Sequence, residues 1–348
     1  MYEEGVKRMP DPKVSVIVLN HNGKKYLKTC LGSLTRSTYR DFETIFVDNA
    51  SVDGSVKFVK ENFPKVKILQ NADDLGYAEG NNLAAKLALG KYIAFLSNDT
   101  EVETTWLEEL VKTLESHPDT GVCGGKIYFY HNRNVLNSTG GLCDVFGYAM
   151  DRDIYKVETR RFERQEDVFW VSGSSIMIKR EVFEKLGGFD SKFEYYVEDV
   201  DICWRAMLLG FRVTYVPRAI VYHVHGGKLT PFTLWRRYMG ERNSFRMILK
   251  NYTGKSIARV VPLYLGLLIC EAAFLFARGV ILRKASYIRI PAIYLKALLW
   301  NLRNLRDTIR LRKEIQLFRT CSDDDIRCKI LRRPLKLTYL RNMPELHQ

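Results

Sequence analysis

The sequence predicts an α/β fold built on a doubly wound, mostly parallel sheet. Three observations predict it. Strand-like and helix-like segments alternate from residue 14 to residue 116. The strands read as unbroken apolar runs, as strands covered on both faces do. Polar clusters stand directly after those runs, at the carboxyl ends where open α/β sheets bind ligands. They are Asn20-His21-Asn22, Asp48-Asn49 and Ser97-Asn98-Asp99.

The elements follow in order. Residues 14–19 (VSVIVL) form a β-branched run after a proline, and 26–34 carry helical spacing. Residues 42–47 (FETIFV) form a second strand ending at Asp48. A helix over 53–62 has Asp53 near its start, and 66–69 form a third strand. Residues 77–89 are rich in Ala, Leu and Asn and read as a helix stopped by Gly90. Residues 92–96 (YIAFL) form a fourth strand, and 104–116 a helix with Pro118 soon after its end. Between 120 and 225 the pattern is more mixed. Residues 168–178 alternate around Ser172-Gly173-Ser174-Ser175, 200–209 read as a helix, and 212–216 and 219–222 as two strand pieces.

From about residue 229 the character changes. Residues 260–277 are an 18-residue apolar run with one charge, Glu271. Leu298, Leu302, Leu305 and Ile309 then repeat at helical spacing among Arg303, Arg306, Arg310, Arg312 and Lys313, as one basic amphipathic helix. The net charge of the chain is +14, from 54 basic and 40 acidic residues. Residues 241–348 hold 22 of the basic and 8 of the acidic residues, so the whole excess lies there. The run is short for a membrane span and contains Pro262 and Glu271. It reads as a segment lying on an anionic leaflet, a buried or dimer-forming helix, or a span. The expected organisation is an α/β domain over 1–228 and a basic, partly apolar helical region over 229–348. No recognised nucleic-acid motif accompanies the charge, so a nucleic-acid-binding protein is the weaker class.

Seven cysteines, without a CxxC pair, argue against a disulfide framework and a zinc ribbon. The opening residues lack the apolar core of a secretory signal, which predicts reduced thiols and a cytoplasmic setting. The Asn-x-Ser/Thr triplets at Asn49, Asn98, Asn137 and Asn251 are then expected to be chance matches.

P-loop, GxGxxG, HExxH and GxSxG patterns are missing, which disfavours kinases, dehydrogenases, zincins and α/β-hydrolases. What remains is a set of acids and one histidine at turn positions. Asp48 and Asp99 each close an apolar strand, where an Asp is either a turn former or a ligand. One could accept hydrogen bonds from a base, and the other hold a divalent cation against a diphosphate. Glu198, Asp199 and Asp201 put three carboxylates beside the aromatic run 193–196, either as a solvated helix start or as a pocket. His223 ends a strand piece, as a structural residue or a metal ligand.

Together these residues resemble the family 2 glycosyltransferases of GT-A fold, in particular their rhamnosyltransferase-like branch. The matching stretches are VSVIVLNHNGKKYLKTCLGSL, FETIFVDNASVDGS, LGYAEGNNLAAKLALGKYIAFLSNDTEV, VSGSSIMIKREVFEKLGGFD and YVEDVDICWRAMLLGFRVTYVPRAIVYHVHGG. The resemblance implies a nucleotide-binding set of Asn20, Asp48, Gly76, Asn81, Asn82 and Asn98. Asp99 stands in the DxD-type metal motif, with Ser97 where the strict pattern has an acid. His223 would complete a Mg2+ or Mn2+ site, with His225 as a weaker substitute. Glu198-Asp199 matches the catalytic acidic pair, with Asp199 as general base, and Ser172-Gly173 lines the sugar and acceptor pocket. The implied reaction is inverting transfer from a nucleotide-diphosphate sugar, dTDP-rhamnose first, to a glycan or lipid-linked acceptor. The tail adds an expected place on the inner face of the cell membrane and a surface for self-association as a homodimer. A sugar nucleotidyltransferase on the same sheet is the alternative enzyme.

Overall fold

The computed structural model of the protein describes residues 11–224, 233–327 and 329–336. Strands β1 (Val14–Asn20), β2 (Phe42–Asn49), β3 (Lys67–Asn71) and β4 (Tyr92–Ser97) alternate with helices α1 (Lys24–Thr35), α2 (Ser55–Asn62) and α3 (Gly76–Ala85). These four strands pair in parallel in the order β3-β2-β1-β4. The strand β5 (Thr100–Val102) and helix α4 (Trp106–Ser116) follow. Then come β6 (Thr120–Phe129), β7 (Asn132–Ser138), β8 (Gly141–Asp144), β9 (Ala149–Asp151) and β10 (Glu166–Asp167). β11 (Ser175–Lys179) enters the sheet antiparallel between β4 and β6. After α5 (Arg180–Lys185) and α6 (Glu198–Leu208), β12 (Arg212–His223) returns parallel to β6. The sheet is therefore mixed but mostly parallel around its centre.

Alternation along each strand builds two cores. Val14, Val16 and Val18 of β1 point to α1 and α4, among Leu27, Leu31, Trp106 and Leu110. Ile17, with Ile45, Val47 and Phe95, points to the other face, among Ala84, Phe183 and Trp204. Both faces are covered, which is why β1 and β4 have so few polar residues. The parallel register sets Asn20 beside Asp48 and Leu19 beside Ser97, so the polar strand ends meet along one edge.

Two sequence readings need correction. The pieces 212–216 and 219–222 are one strand, with an irregularity between Val216 and Ile220. The expected amphipathic helix over 298–313 is two helices that meet at Asn304. They are α10 (Ile290–Arg303) and α11 (Leu305–Phe318), after α7 (Leu234–Asn251), α8 (Gly254–Leu282) and the short α9 (Ala285–Ile288). The described chain closes with α12 (Asp323–Arg327) and β13 (Ile330–Leu331), which adds to β8.

The helices after Thr233 share a core with the sheet. Met247 and Ile248 of α7 are buried in the same cluster as Trp204, whose ring meets Tyr252 edge-on at 4.8 Å. α8 buries one stripe, Tyr264, Leu268, Glu271, Leu275 and Gly279. Several cations counted above as tail charge point inward, as does Arg237 just ahead of them. Arg246 and Lys250 bind Asp190 at 2.7 and 2.6 Å, and Arg237 reaches Glu271 at 3.2 Å. Lys336 bridges Glu241 and Glu271, each at 2.6 Å. Burial would raise the Asp190 carboxyl, but Lys250 and Arg246 hold it well below the usual range. Part of the basic excess is thus spent on internal ion pairs.

Among the described cysteines, Cys30, Cys123, Cys143 and Cys203 are buried thiols and Cys270 is exposed; Cys328 lies outside the described residues. Asn49, Asn137 and Asn251 are buried, so those triplets cannot present an amide to a modifying enzyme.

Candidate active site

The ends of β1, β2 and β4 are laced together by amides. Asn20 Nδ2 donates to Asp48 Oδ1 and to Ser51 Oγ, each at 3.0 Å. Asn98 Nδ2 donates to Asn20 Oδ1 at 2.5 Å. The other Asp48 oxygen accepts the Ser51 N–H at 2.9 Å. Asp48 and Asn20 are buried, so the expected nucleotide residues form a fixed polar floor.

The helix α3 contributes differently from expectation. Asn82 clasps the chain before Asp190, donating to Phe189 O at 2.8 Å and accepting Phe189 N–H at 2.9 Å. Both ends of its amide are engaged, so Asn82 fastens a loop and is not turned to a nucleotide. Asn81 is buried and donates to Tyr77 O of its own helix at 2.9 Å. Gly76 has φ +71°, and a Cβ there would meet Glu194 O at 2.9 Å. Only glycine fits this crossing without strain.

Asp99 and His223 come together through the β5–β12 pairing, which sets His223 opposite Thr100. Their Oδ1 and Nε2 atoms are 3.3 Å apart. The other ring nitrogen, Nδ1, lies 3.1 Å from Asn137 Oδ1. With Nδ1–H donating to Asn137, Nε2 keeps its lone pair toward Asp99, the tautomer a metal-ligating imidazole needs. The pair fits a divalent cation, and a third protein carboxylate, thiol or imidazole does not join it among the described residues. His225 lies outside the described residues.

The acidic pair opens α6. Asp199 Oδ2 accepts the Gly173 N–H and Oδ1 accepts the Val200 N–H, both at 2.8 Å. Tyr77 Oη donates to Gly173 O at 2.6 Å, so Gly173 is held from both sides. Ser172 Oγ pairs with Ser174 Oγ at 3.0 Å within the same loop. Burial pushes the Asp199 carboxyl up, against the two N–H groups that favour its charge. Glu198 is different. It is buried and its Oε2 makes no hydrogen bond. Burial, and then the neighbouring Asp199, push it well above the usual range. Burial thus favours the protonated form of Glu198, while the Gly173 and Val200 N–H groups favour the charged form of Asp199.

Sequence reasoning missed three contributors. The chain before Glu198 has positive φ at Glu194, Tyr196 and Val197 (59°, 68° and 74°). A β-branched residue in that region is strained. α7 holds the strain: buried Asn243 donates through Nδ2 to the carbonyls of Phe193, Tyr195 and Tyr196, at 2.9, 2.9 and 2.8 Å. Arg242 adds bonds to Glu194 Oε1 and to Phe193 O. The third is Asp151, at the end of β9. Burial pushes its carboxyl up to about 6, Asp199 adds to the rise, and His223 and Arg236 oppose it.

An open α/β sheet with acids at its carboxyl edge, an antiparallel insert and a strand-end histidine is the GT-A class of fold. A solved structure of that kind, GalNAc-T7 with UDP, GalNAc and Mn2+, superposes with a TM-score of 0.57 at 19% identity, over 73% of this chain and 50% of that one. Residues 15–187 match the profile of Glycosyl transferase family 2, and the chain belongs to that family. O-antigen biosynthesis protein RfbC of Myxococcus xanthus is 31% identical over 61% of this chain. N-acetylglucosaminyl-diphospho-decaprenol L-rhamnosyltransferase of Mycobacterium tuberculosis is 27% identical over 60% of it and 75% of its own length. The chain spans 17% of the length of RfbC and 24% of that of y4gI, a protein of Sinorhizobium fredii to which it is 28% identical.

Proposed function

We propose that the protein is an inverting glycosyltransferase that moves a sugar from a nucleoside-diphosphate donor to a hydroxyl of a glycan or lipid-linked acceptor. The observation that carries this reading is the Asp99–His223 pair with Asp199 fixed by the Gly173 N–H, on a GT-A sheet. The floor of Asn20, Asp48 and Asn98 takes the base and ribose. Asp99 and His223 would hold Mg2+ or Mn2+, which supplies positive charge against the diphosphate. Asp199 accepts the proton of the acceptor hydroxyl as that oxygen attacks the anomeric carbon. The bond from that carbon to the diphosphate oxygen breaks in the same step, the nucleoside diphosphate leaves with the electron pair, and one displacement inverts the configuration. dTDP-rhamnose is the first donor to test, supported by the mycobacterial relative, whose name is that of an L-rhamnosyltransferase.

The location belongs to the same proposal: the inner, anionic leaflet of the cell membrane. An 18-residue stretch of α8 has a mean hydropathy of 2.1, yet only 22% of it is buried. Its outer face exposes Leu263, Ile269, Phe274 and Ile281, and α10 adds Leu295 and Leu302. Arg259, Arg283, Arg289, Arg303 and Arg306 are exposed around that face. Apolar side chains ringed by arginines suit an anionic lipid surface.

A panel of nucleotide sugars with Mg2+ or Mn2+ tests the activity, read as nucleoside-diphosphate release and as thermal shift. One donor is expected to stabilise the protein and be turned over, with loss on chelation and recovery on adding the metal back. Failure of every donor to bind or react would overturn the reading.

A further inference from the structure

Residues 329–336 lie beyond the 15–187 that match the family profile, yet they are built into the molecule. β13 adds to β8 in parallel, Val145 N–H donates to Leu331 O at 3.2 Å, and Leu335 N–H donates to Asp144 Oδ2 at 2.7 Å. This strap delivers Lys336, which is buried, between the β8–β9 turn, α7 and α8. Its Nζ lies 2.6 Å from each of Glu241 Oε1, Glu271 Oε2 and Tyr148 Oη, three oxygens for the three N–H donors of an ammonium. The Tyr148 and Tyr294 rings flank it, with centroids at 4.4 and 4.8 Å. Tyr148 Oη and Tyr264 Oη donate to the other Glu241 oxygen at 2.7 and 2.9 Å. Arg237 donates to Glu271 Oε1 at 3.2 Å and to Tyr294 Oη at 3.0 Å.

The cage is joined to the acidic pair by covalent sequence. Glu241 directly precedes Arg242 and Asn243 on α7. Those two side chains bond the carbonyls of Phe193, Tyr195 and Tyr196 and the carboxylate of Glu194. Val197 follows as the residue that caps α6, and its carbonyl accepts the Asp201 N–H at 2.8 Å. A buried carboxylate that loses its cation must reach water or find another partner. Glu241, packed under Tyr148 and Tyr264, reaches water by moving its turn of α7. That movement passes directly to the chain that sets Asp199.

We propose that the cage is an ammonium site which the chain fills with its own Lys336, and that its filling positions Asp199 through α7. Lys336 touches no reacting atom, so it is a positioning residue. Its effect on turnover rests on the transferase reading, and its effect on the chain ahead of Glu198 does not.

The test uses the full chain and two variants. Lys336→Ala removes an ammonium on a three-carbon stem, which propylammonium replaces in length and charge. Lys336→Met removes the charge but fills the space, so the amine has no room. Hydrogen exchange is read on the peptide 193–200 and on β1 and β2. In both variants 193–200 should exchange about tenfold faster, with β1 and β2 unchanged. Propylammonium should restore the slow exchange in Lys336→Ala and not in Lys336→Met. With a donor from the nucleotide-sugar panel, kcat should fall about tenfold and recover with the amine, while the donor KM stays within about twofold. A merely destabilised protein would not show that split. Should Lys336→Ala fail to fold, Lys336→Met carries the exchange and kinetic measurements alone. Exchange at 193–200 that is unchanged, that rises equally in β1 and β2, or that propylammonium leaves fast in Lys336→Ala overturns the proposal. The exchange experiment needs no donor, so its failure is distinct from a failure of the nucleotide-sugar panel, which would strike the transferase reading itself.

Discussion

Asp199 and Glu198 are neighbours in sequence with different surroundings, and hydrogen bonding sets them apart. Two N–H groups point at Asp199, and none reaches Glu198 Oε2. Replacing Asp199 with Asn keeps the shape and the Val200 contact but removes the base. Transfer should fall about a hundredfold to ten-thousandfold while donor binding, read by thermal shift, is kept. Full activity in that variant would remove Asp199 from the mechanism. Glu198 gives a stability prediction whose sign can be worked out. Its carboxyl sits well above the ordinary value of 4.5 in the folded protein. The folded state therefore binds the proton more tightly than the unfolded chain does. Its contribution is present below the ordinary value and is lost as pH rises through the raised one. Glu198→Gln mimics the protonated form. Denaturant unfolding of this variant should show a smaller loss of stability toward alkaline pH than the wild type. An unchanged pH slope would mean that Glu198 is ionised in the fold.

At the scale of elements, α7 is the piece that holds the chain ahead of the acidic pair. It packs Met247 and Ile248 into the core and turns Asn243 toward three carbonyls of the strained chain ahead of Glu198. Asn243→Ala leaves those buried carbonyls short of a donor. A cost of about 3 kcal/mol in unfolding free energy is expected. The kcat should fall at least about tenfold, because the start of α6 is no longer held in one position. Calorimetry and steady-state kinetics on one preparation check both, and a fully active, equally stable variant would make the clamp incidental. β1, β2 and β4 were legible in the sequence because apolar runs stop abruptly at Asn20, Asp48 and Ser97. β6 was harder to read, since Gly121, Gly124 and Gly125 interrupt it. A Cβ at Gly125 would meet Ala219 O at 2.0 Å, so packing against β12 requires the residue that weakens the strand signal. Arg242, Asn243, Arg246 and Lys250 were not legible as site supports. Their partners lie 47 to 60 residues away, and in sequence they look like the solvated polar residues of any surface helix.

For the whole molecule, the net charge divides in two. Arg242, Arg246, Lys250 and Lys336 are buried, hold the helices onto the sheet and are unavailable to any partner. The exposed arginines around α8 and α10 remain, beside Ile269 and Ile281, which are 68% and 80% exposed. If this face rests on lipid, replacing those two isoleucines with aspartate removes apolar contact and adds repulsion. Each lost side chain is worth about 2 kcal/mol, so the pair should weaken vesicle binding at least about a hundredfold. Cosedimentation with vesicles rich in phosphatidylserine measures it. Wild type should pellet at low salt and be partly released at about 0.5 M salt, since screening reaches the arginines more than the apolar contact. Both residues point away from the core, so the double variant should unfold at the wild-type temperature. Should it instead change the oligomeric state and leave vesicle binding intact, the face joins two copies of the chain and the membrane assignment is lost.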